Sequence, residues 1–550
     1  MADNRRRAMN PLLWNLSMDC TLRGPKLGLS ALATLMLLAA MPVQATVNSG
    51  SMGTEPLNPS SSMEIPLPSD GVLHYSWVNI PPGVTITFKK NKRNTPVYML
   101  VKGNVRIDGM IDVRGEDARD VALYGGGILA DDGMPGAGGP GGFDGGRGGS
   151  KDDQYRAEVI KGAAGQGPGG GPGGVPTSQF GIPGSAICTP MTSAYTSYPV
   201  HGGGGGYAKP AYRYGAQYCG PLTNVGPLFY GKSYGSELLQ PLIGGSGGGG
   251  GIGGTRFSGV GGGGGGGAIL IAADGTITIA GTGSIDASGG DAGGTAGENV
   301  GFYGAGGSGG AIRLVATSIT GTGKLVADGG CMHANSQRRQ GCGSDGTHSS
   351  NIWVVGFNGG AVGRIRLEAE SYSFSGPTSS SFTKGDPAPI FLTNIPTLRI
   401  ASIAGVDVPA EPTGVADVDL PAPPSGPVTV VFKTVNVPPG NSVKLRLTPD
   451  SGNAVEVESS VVTGSLAEGS ASVSVDLRAG ASALTAWTSY MVAPPVAVAS
   501  ALSQYANNEK VEQIELAVSL QGEPAAWLHT ASGKRFEVSY AQLRAAGFEG

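Results

Sequence analysis

The chain has 550 residues, 98 of them glycine, with 14% charged side chains and a formal net charge of −4. That much glycine is too much for an ordinary globular core, and because it comes in blocks without a strict three-residue period, collagen is excluded. A mildly acidic chain without a basic stripe is a poor nucleic-acid binder, while its valine- and isoleucine-rich stretches argue against simple disorder.

Residues 1–45 read as an export signal. Arg5 to Arg7, Arg23 and Lys26 form a positive region, Leu27 to Met41 is apolar, and Val43-Gln44-Ala45 is a small-residue cleavage site before Thr46. Removing this segment takes the net charge from −4 to −7. The rival reading is a membrane anchor, but an apolar run ended by Pro42 is shorter than the roughly 20 residues a span requires. Arg5-Arg6-Arg7 sits too far from that run for a twin-arginine signal. Cys20 precedes the run, which excludes a lipidation cysteine at its end. The expectation is a secreted or cell-surface protein with no stable membrane span after cleavage.

Residues 46–70 are rich in Ser, Pro and Gly and read as a flexible lead-in. A glycine-rich β region is expected over 71–390. It opens with VLHYSWVNIPPGVTITFKK, where Pro81-Pro82-Gly83 is a turn and Trp77, Ile80, Val84, Ile86 and Phe88 are expected to cover an open end. Its repeating unit is clearest in Ala268 to Gly290, where Ile269 and Ile271, Ile277 and Ile279, and Ile285 and Ala287 fall in pairs two apart, separated by Asp-Gly and Gly-Thr-Gly corners. Spacing of two with β-branched residues is strand spacing. A copy at 310–330 places Ile312, Leu314, Ile319, Leu325 and Ala327 inward, and shorter copies lie at 105–115 and 363–369. The predicted fold is therefore all-β: a right-handed parallel β-helix with glycine-rich insertions, followed by a small immunoglobulin-like β-sandwich.

The runs Gly136 to Gly149 and Gly165 to Gly174 have too few side chains to bury a core. They are either linkers or extended rods packed side by side, since only glycine lets backbones approach closely. The insertion 175–241 differs in holding eight of the chain's 17 tyrosines. Tyrosine with Ser and Gly is the chemistry of adaptable recognition loops, so Tyr207, Tyr212, Arg213, Tyr214, Tyr218, Tyr230 and Tyr234 are the candidate binding residues. The plainer alternative is that these tyrosines fold over and cover the apolar side of the scaffold.

Four cysteines follow the signal, Cys188, Cys219, Cys331 and Cys342. In an exported chain they read as two disulfides, with zinc near His333 and His348 as the rival. Residues 391–427 are a Pro-rich linker or domain edge. The alternating strands of 428–490 are the expected sandwich, and 491–550 is a small C-terminal module containing a hairpin at Ser532-Gly533.

A search for chemistry finds little. Asp131-Asp132 and Asp152-Asp153 are carboxylate pairs, His201 lies in VHGG and Arg364-Ile365-Arg366 is a basic pair, but none stands in the company that polysaccharide hydrolysis requires. Catalytic residues and a metal site are therefore not assigned. Calcium is the one cofactor kept open, through Asp274, Asp286, Asp291, Asp328 and Asp345 at corners, although Asp is also a common turn residue. Ice binding would need a flat face of repeated Thr, and Thr276, Thr278, Thr282, Thr320 and Thr322 are too few and irregular for that.

The segments at 261–290, 306–330 and 78–115 resemble those of exported glycine-rich parallel β-helix proteins of Gram-negative bacteria, over roughly residues 70–375. The resemblance implies fold and location more than activity. Polyglycine on a β scaffold also resembles phage tail-tip adhesins and ice-binding glycine-rod proteins, as analogies. The expected function is a secreted or cell-surface structural or binding protein, an adhesin or matrix component, with an extracellular glycan or cell-surface partner. The alternative is a carbohydrate-active lyase or hydrolase.

Overall fold

The computed structural model describes residues 47–120, 133–152, 154, 156–175, 202–211, 231–254, 258–294, 303–331, 359–391, 394–408, 418–421, 426–449, 454–477, 480, 482–520 and 524–549. All belong to the unit Thr46–Gly550, so the export signal expected over 1–45 lies outside the described residues. No helix among those described is long and apolar enough to cross a membrane.

The first thirteen strands pair in parallel. They are β1 (Met63–Pro66), β2 (Val72–Tyr75), β3 (Val78–Ile80), β4 (Thr85–Lys89), β5 (Val97–Val101), β6 (Val105–Ile107), β7 (Met110–Asp112), β8 (Ala268–Ile279), β9 (Ser284–Asp286), β10 (Ala311–Gly321), β11 (Lys324–Val326), β12 (Arg364–Phe374) and β13 (Phe382–Gly385). A small sheet runs β1-β4-β7-β9-β11. A large one runs β13-β12-β10-β8-β5-β2, with β6 also on β8 and β3 on β6.

Period-two alternation decides which side chains face inward. Ile269, Ile271, Ile277 and Ile279 of the large sheet share one core with Ile86, Ile111, Ile285 and Leu325 of the small one. The sequence copies are the pairing register: Val105 lies beside Ile277, Ile111 beside Ile285, and Ile269, Ile312 and Ile365 form a column. Each such side chain contributes about 1.5–3 kcal/mol on burial. A one-residue slip would turn every one of them out to solvent, so the register is strongly specified. Ile80, Val84, Ile86 and Phe88 join this core, but Trp77 remains 42% exposed.

The predicted right-handed parallel β-helix followed by a small immunoglobulin-like sandwich is not what forms. Among the described residues the parallel strands make two open sheets, and no closed or solenoid coil of strands joins them. The physical reason lies in what precedes each copy. Runs such as 261–267 have no side chains to pack as a strand, and they form rods instead.

Those rods interlock with a three-residue hydrogen-bond period, as expected of left-handed polyglycine with three residues per turn and no internal bonds. Along one rod, Gly262 and Gly265 donate to Gly146 and Phe143, Gly263 and Gly266 to Ala305 and Ser308, and Gly264 and Gly267 to Glu116 and Val113, all at 2.7–3.0 Å. The same rod accepts from Gly136 and Gly139, from Gly245 and Gly248, and from Gly290 and Gly293. It therefore has six neighbouring segments, donating to three and accepting from three. That arrangement satisfies backbone groups that burial would otherwise leave costly. Glycine is required by contact: a Cβ at Gly263, Gly264 or Gly265 would overlap the carbonyl oxygen of Gly290, Ala137 or Gly245. Of the two readings of Gly136 to Gly149 and Gly165 to Gly174, these segments take the rod form.

The remaining described strands pair antiparallel. β14 (Thr397–Ile403), β15 (Val406–Asp407), β16 (Val428–Val435), β19 (Thr463–Gly464) and β20 (Gly469–Val475) form one sheet. β17 (Ser442–Pro449), β18 (Val455–Val461), β21 (Ser482–Val492), β22 (Val511–Ser519), β23 (Ala525–Thr530) and β24 (Arg535–Val538) form the other, in the order β18-β17-β21-β22-β23-β24. One core spans Leu398 to Phe548, so these two sheets are larger than the small sandwich expected over 428–490. A short helix, Tyr540–Ala545, closes the chain with a capping box: Gln542 N–H donates to Ser539 Oγ at 3.0 Å, and Ser539 N–H donates to Gln542 Oε1 at 2.8 Å.

Candidate functional site

The outer face of the large parallel sheet divides into two halves with different fates. At the starts of β8, β10 and β12 the outward residues are Ala268, Leu270 and Ala272, then Ala311, Arg313 and Val315, then Arg364, Arg366 and Glu368. This half is covered. Tyr207, Leu239, Leu242 and Ile390 pack on Leu100, Leu270 and Val315 as a second apolar cluster.

Two of the seven candidate binding residues are seen here, and they serve this cover. Tyr207 is 1% exposed and its hydroxyl donates to Ile243 O at 2.8 Å. Tyr234 is half-buried; its hydroxyl donates to Gly244 O at 2.6 Å and accepts from Ser246 Oγ at 3.0 Å. The two rings lie 4.8 Å apart, and the Arg364 guanidinium is 5.5 Å from the Tyr207 ring centre. Burial pushes both phenols well above their ordinary value, with Arg364 pulling the other way. Tyr212, Arg213, Tyr214, Tyr218 and Tyr230 lie outside the described residues.

Under the cover lies a buried ion cluster. Arg313 and Glu368, each with a 2% exposed side chain, meet through two bonds, Nε to Oε1 at 3.1 Å and Nη2 to Oε2 at 3.0 Å. Arg366 Nε adds a third at 2.8 Å, and Ala388 N–H a fourth at 3.1 Å. Burial alone would raise the Glu368 carboxyl, but Arg313 and then Arg366 outweigh it and hold it below its ordinary value. Its oxygens are fully engaged by cations and a backbone amide, so Glu368 is a fixed anion that anchors the cover and not an acid or base.

The other expected sites are dispersed or out of view. Asp152 is held down to about 2 by hydrogen bonds from Arg156, which makes it a fixed anion too. Asp131, Asp132, Asp153 and His201 lie outside the described residues. Cys331 is buried and disulfide-bonded, while Cys188, Cys219 and Cys342 lie outside them. Among the acidic corner residues, Asp274 accepts from Ser49 N–H, Asp286 from Ser288, and Asp291 from Cys331 N–H. Asp345 lies outside, and among the described residues no group of three His, Cys, Asp or Glu converges to hold a metal ion.

The second half of the outer face is open and polar. Thr276, Ser318 and Ser371 form one in-register column, and Thr278, Thr320 and Ser373 the next. Asn104, one residue before the Val105–Ile277 pair, extends the first, and its Oδ1 accepts from Thr276 N–H at 2.8 Å. Arg106 and Asn79 extend the second. Thr278 and Thr320 hydroxyls touch at 3.1 Å, and Asn79 Nδ2 donates to Asn58 at 2.9 Å. Sequence reasoning found three of these threonines but missed the alignment. The missed signal was the recurring Ser/Thr-x-Ser/Thr step after each apolar alternation, in 276–278, 318–320 and 371–373. Comparison with known protein families, curated proteins and solved structures finds no match to this chain.

Proposed function

We propose that the protein is a secreted or cell-surface structural and binding protein, an adhesin or matrix component, that presents surfaces on a rigid, chemically unreactive body. The observation that carries this reading is the glycine lattice. A rod with six hydrogen-bonded neighbours and no room for a Cβ is a large sequence investment in shape, and it offers no functional group for chemistry. The described charged clusters point the same way: Glu368 and Asp152 are locked anions, engaged by arginine. The N-terminal positive and apolar regions before Thr46 support export.

The test uses the mature chain from Thr46 with insoluble and soluble polysaccharides and with whole cells. Co-sedimentation or retention without release of reducing or unsaturated ends is the expected result. Release of such ends by purified protein would replace this reading with a carbohydrate-active enzyme.

A further inference from the structure

We propose that the open polar half of the large sheet, running from Trp77 to Ser373, is a docking strip for an uncharged, extended polysaccharide chain; this rests on the reading of the protein as a binder. The strip crosses β3, β6, β8, β10 and β12 through parallel pairs. Four steps at about 4.8 Å give a run of about 19 Å. Apart from Arg106, the outward residues across it are short and polar, in two columns held in register by the inward side chains between them.

Three observations select the partner. Charge comes first: Arg106 is the single charged side chain in the two columns, and Asp108 neutralises it through bonds of 2.6 and 2.8 Å. A strip without net charge suits an uncharged ligand and gives nothing to a nucleic acid or acidic polymer, whose affinity rests on cation contacts. Second, the hydroxyls and amides both donate and accept, and they repeat at a constant spacing, which matches a polymer of repeating hydroxyls. Third, Trp77, exposed and immediately before β3, stands beside Asn104 at the end of the first column, where Asn104 O accepts the Val78 N–H. An indole there offers rigid amphipathic area to the C–H face of a sugar ring. A protein partner would instead call for a central apolar anchor surrounded by a polar rim, and the strip has its aromatic residue at one end.

The experiment titrates the mature chain with cellohexaose, chitohexaose and mannohexaose, and with the matching disaccharides, by calorimetry. Expected is binding of at least one hexasaccharide, at least tenfold weaker for its disaccharide. Trp77→Ala and the double variant Thr278→Val/Thr320→Val are each expected to weaken it tenfold or more. Val455→Thr, on an exposed strand of the antiparallel part, should leave it unchanged, and unaltered thermal unfolding of every variant shows that the fold is retained. Equal binding by wild type and both strip variants would overturn this site while leaving the binding function standing. Binding of none of the sugars overturns the ligand class, as would thermal hysteresis of freezing that the same substitutions abolish. Retention on cells in that event keeps the broader function separate.

Discussion

Arg313 and Glu368 face each other across neighbouring strands, two residues apart in the outward columns of β10 and β12, and join by two hydrogen bonds beneath a covering segment. A buried carboxylate with two guanidiniums is costly to assemble and costlier to break, because removing one partner strands the others without water. What the cluster supplies is position. It ties Ala388 directly to the sheet, while Arg364 on the same strand holds the Tyr234 carbonyl at 3.0 Å.

Glu368→Gln is therefore expected to destabilise the protein by about 3 kcal/mol or more, leaving Arg313 and Arg366 uncompensated. Urea unfolding followed by Tyr fluorescence measures it. Replacing Arg313, Arg366 and Glu368 together by Met, Leu and Leu should cost much less. Equal losses for the single and triple variants would show that the ion cluster is not the cause.

The same carboxylate gives a pH dependence. Its folded value is depressed below the ordinary Glu value of about 4.3, so its stabilisation is fully present above that unfolded value and is lost as pH falls through the depressed folded one. Stability should drop below about pH 4.3, and Glu368→Gln should flatten that limb. An unchanged acid limb in the variant would assign acid sensitivity to other groups.

The glycine lattice predicts slow amide exchange in Gly262 to Gly267 and Gly247 to Gly251, comparable with Ile269 to Ile279, because every one of those glycine amides is bonded to a neighbouring segment. Rapid exchange there, with slow exchange in the strand, would refute the lattice.

Gly264→Ala should destabilise by about 3 kcal/mol, since its methyl group would overlap Ala137 O and backbone cannot give way as a side chain can. Gly426→Ala, with nothing within 4 Å of its Cβ, is the matched control and should be close to neutral. Thermal unfolding of the two variants separates steric need from chain flexibility.

Tyr207→Phe loses one hydrogen bond, to Ile243 O, and should cost about 1 kcal/mol with no change in ligand binding. A large loss of binding with little loss of stability would return Tyr207 to the recognition surface.

How far these features were legible depends on how local their cause is. The inward set Ile269, Ile271, Ile277, Ile279 and Ile285 could be read directly, because strand alternation needs only neighbours in sequence. So could the pairing of Val105 with Ile277, since matching copies stack in matching register. The β-helix expectation failed because the sequence copies describe strands, while the connecting chain decides closure. Tyr207 follows the plainer of its two readings, covering the sheet, but the sequence left both open, because a tyrosine in a Gly- and Ser-rich stretch reads the same whether it faces solvent or a sheet. The role of Arg313 was hidden for a related reason: it looked like the outward member of an alternating strand until a distant segment covered it.

By itself, then, the sequence determined the parallel strands around the repeats and their inward faces, both consequences of side-chain period. Tertiary structure alone decided that the glycine blocks pack as rods, the one at 261–267 with six neighbours, that the large sheet is covered over one half and open over the other, and that Glu368 meets Arg313. Those outcomes depend on contacts between segments tens to hundreds of residues apart, whose free energies no local pattern encodes.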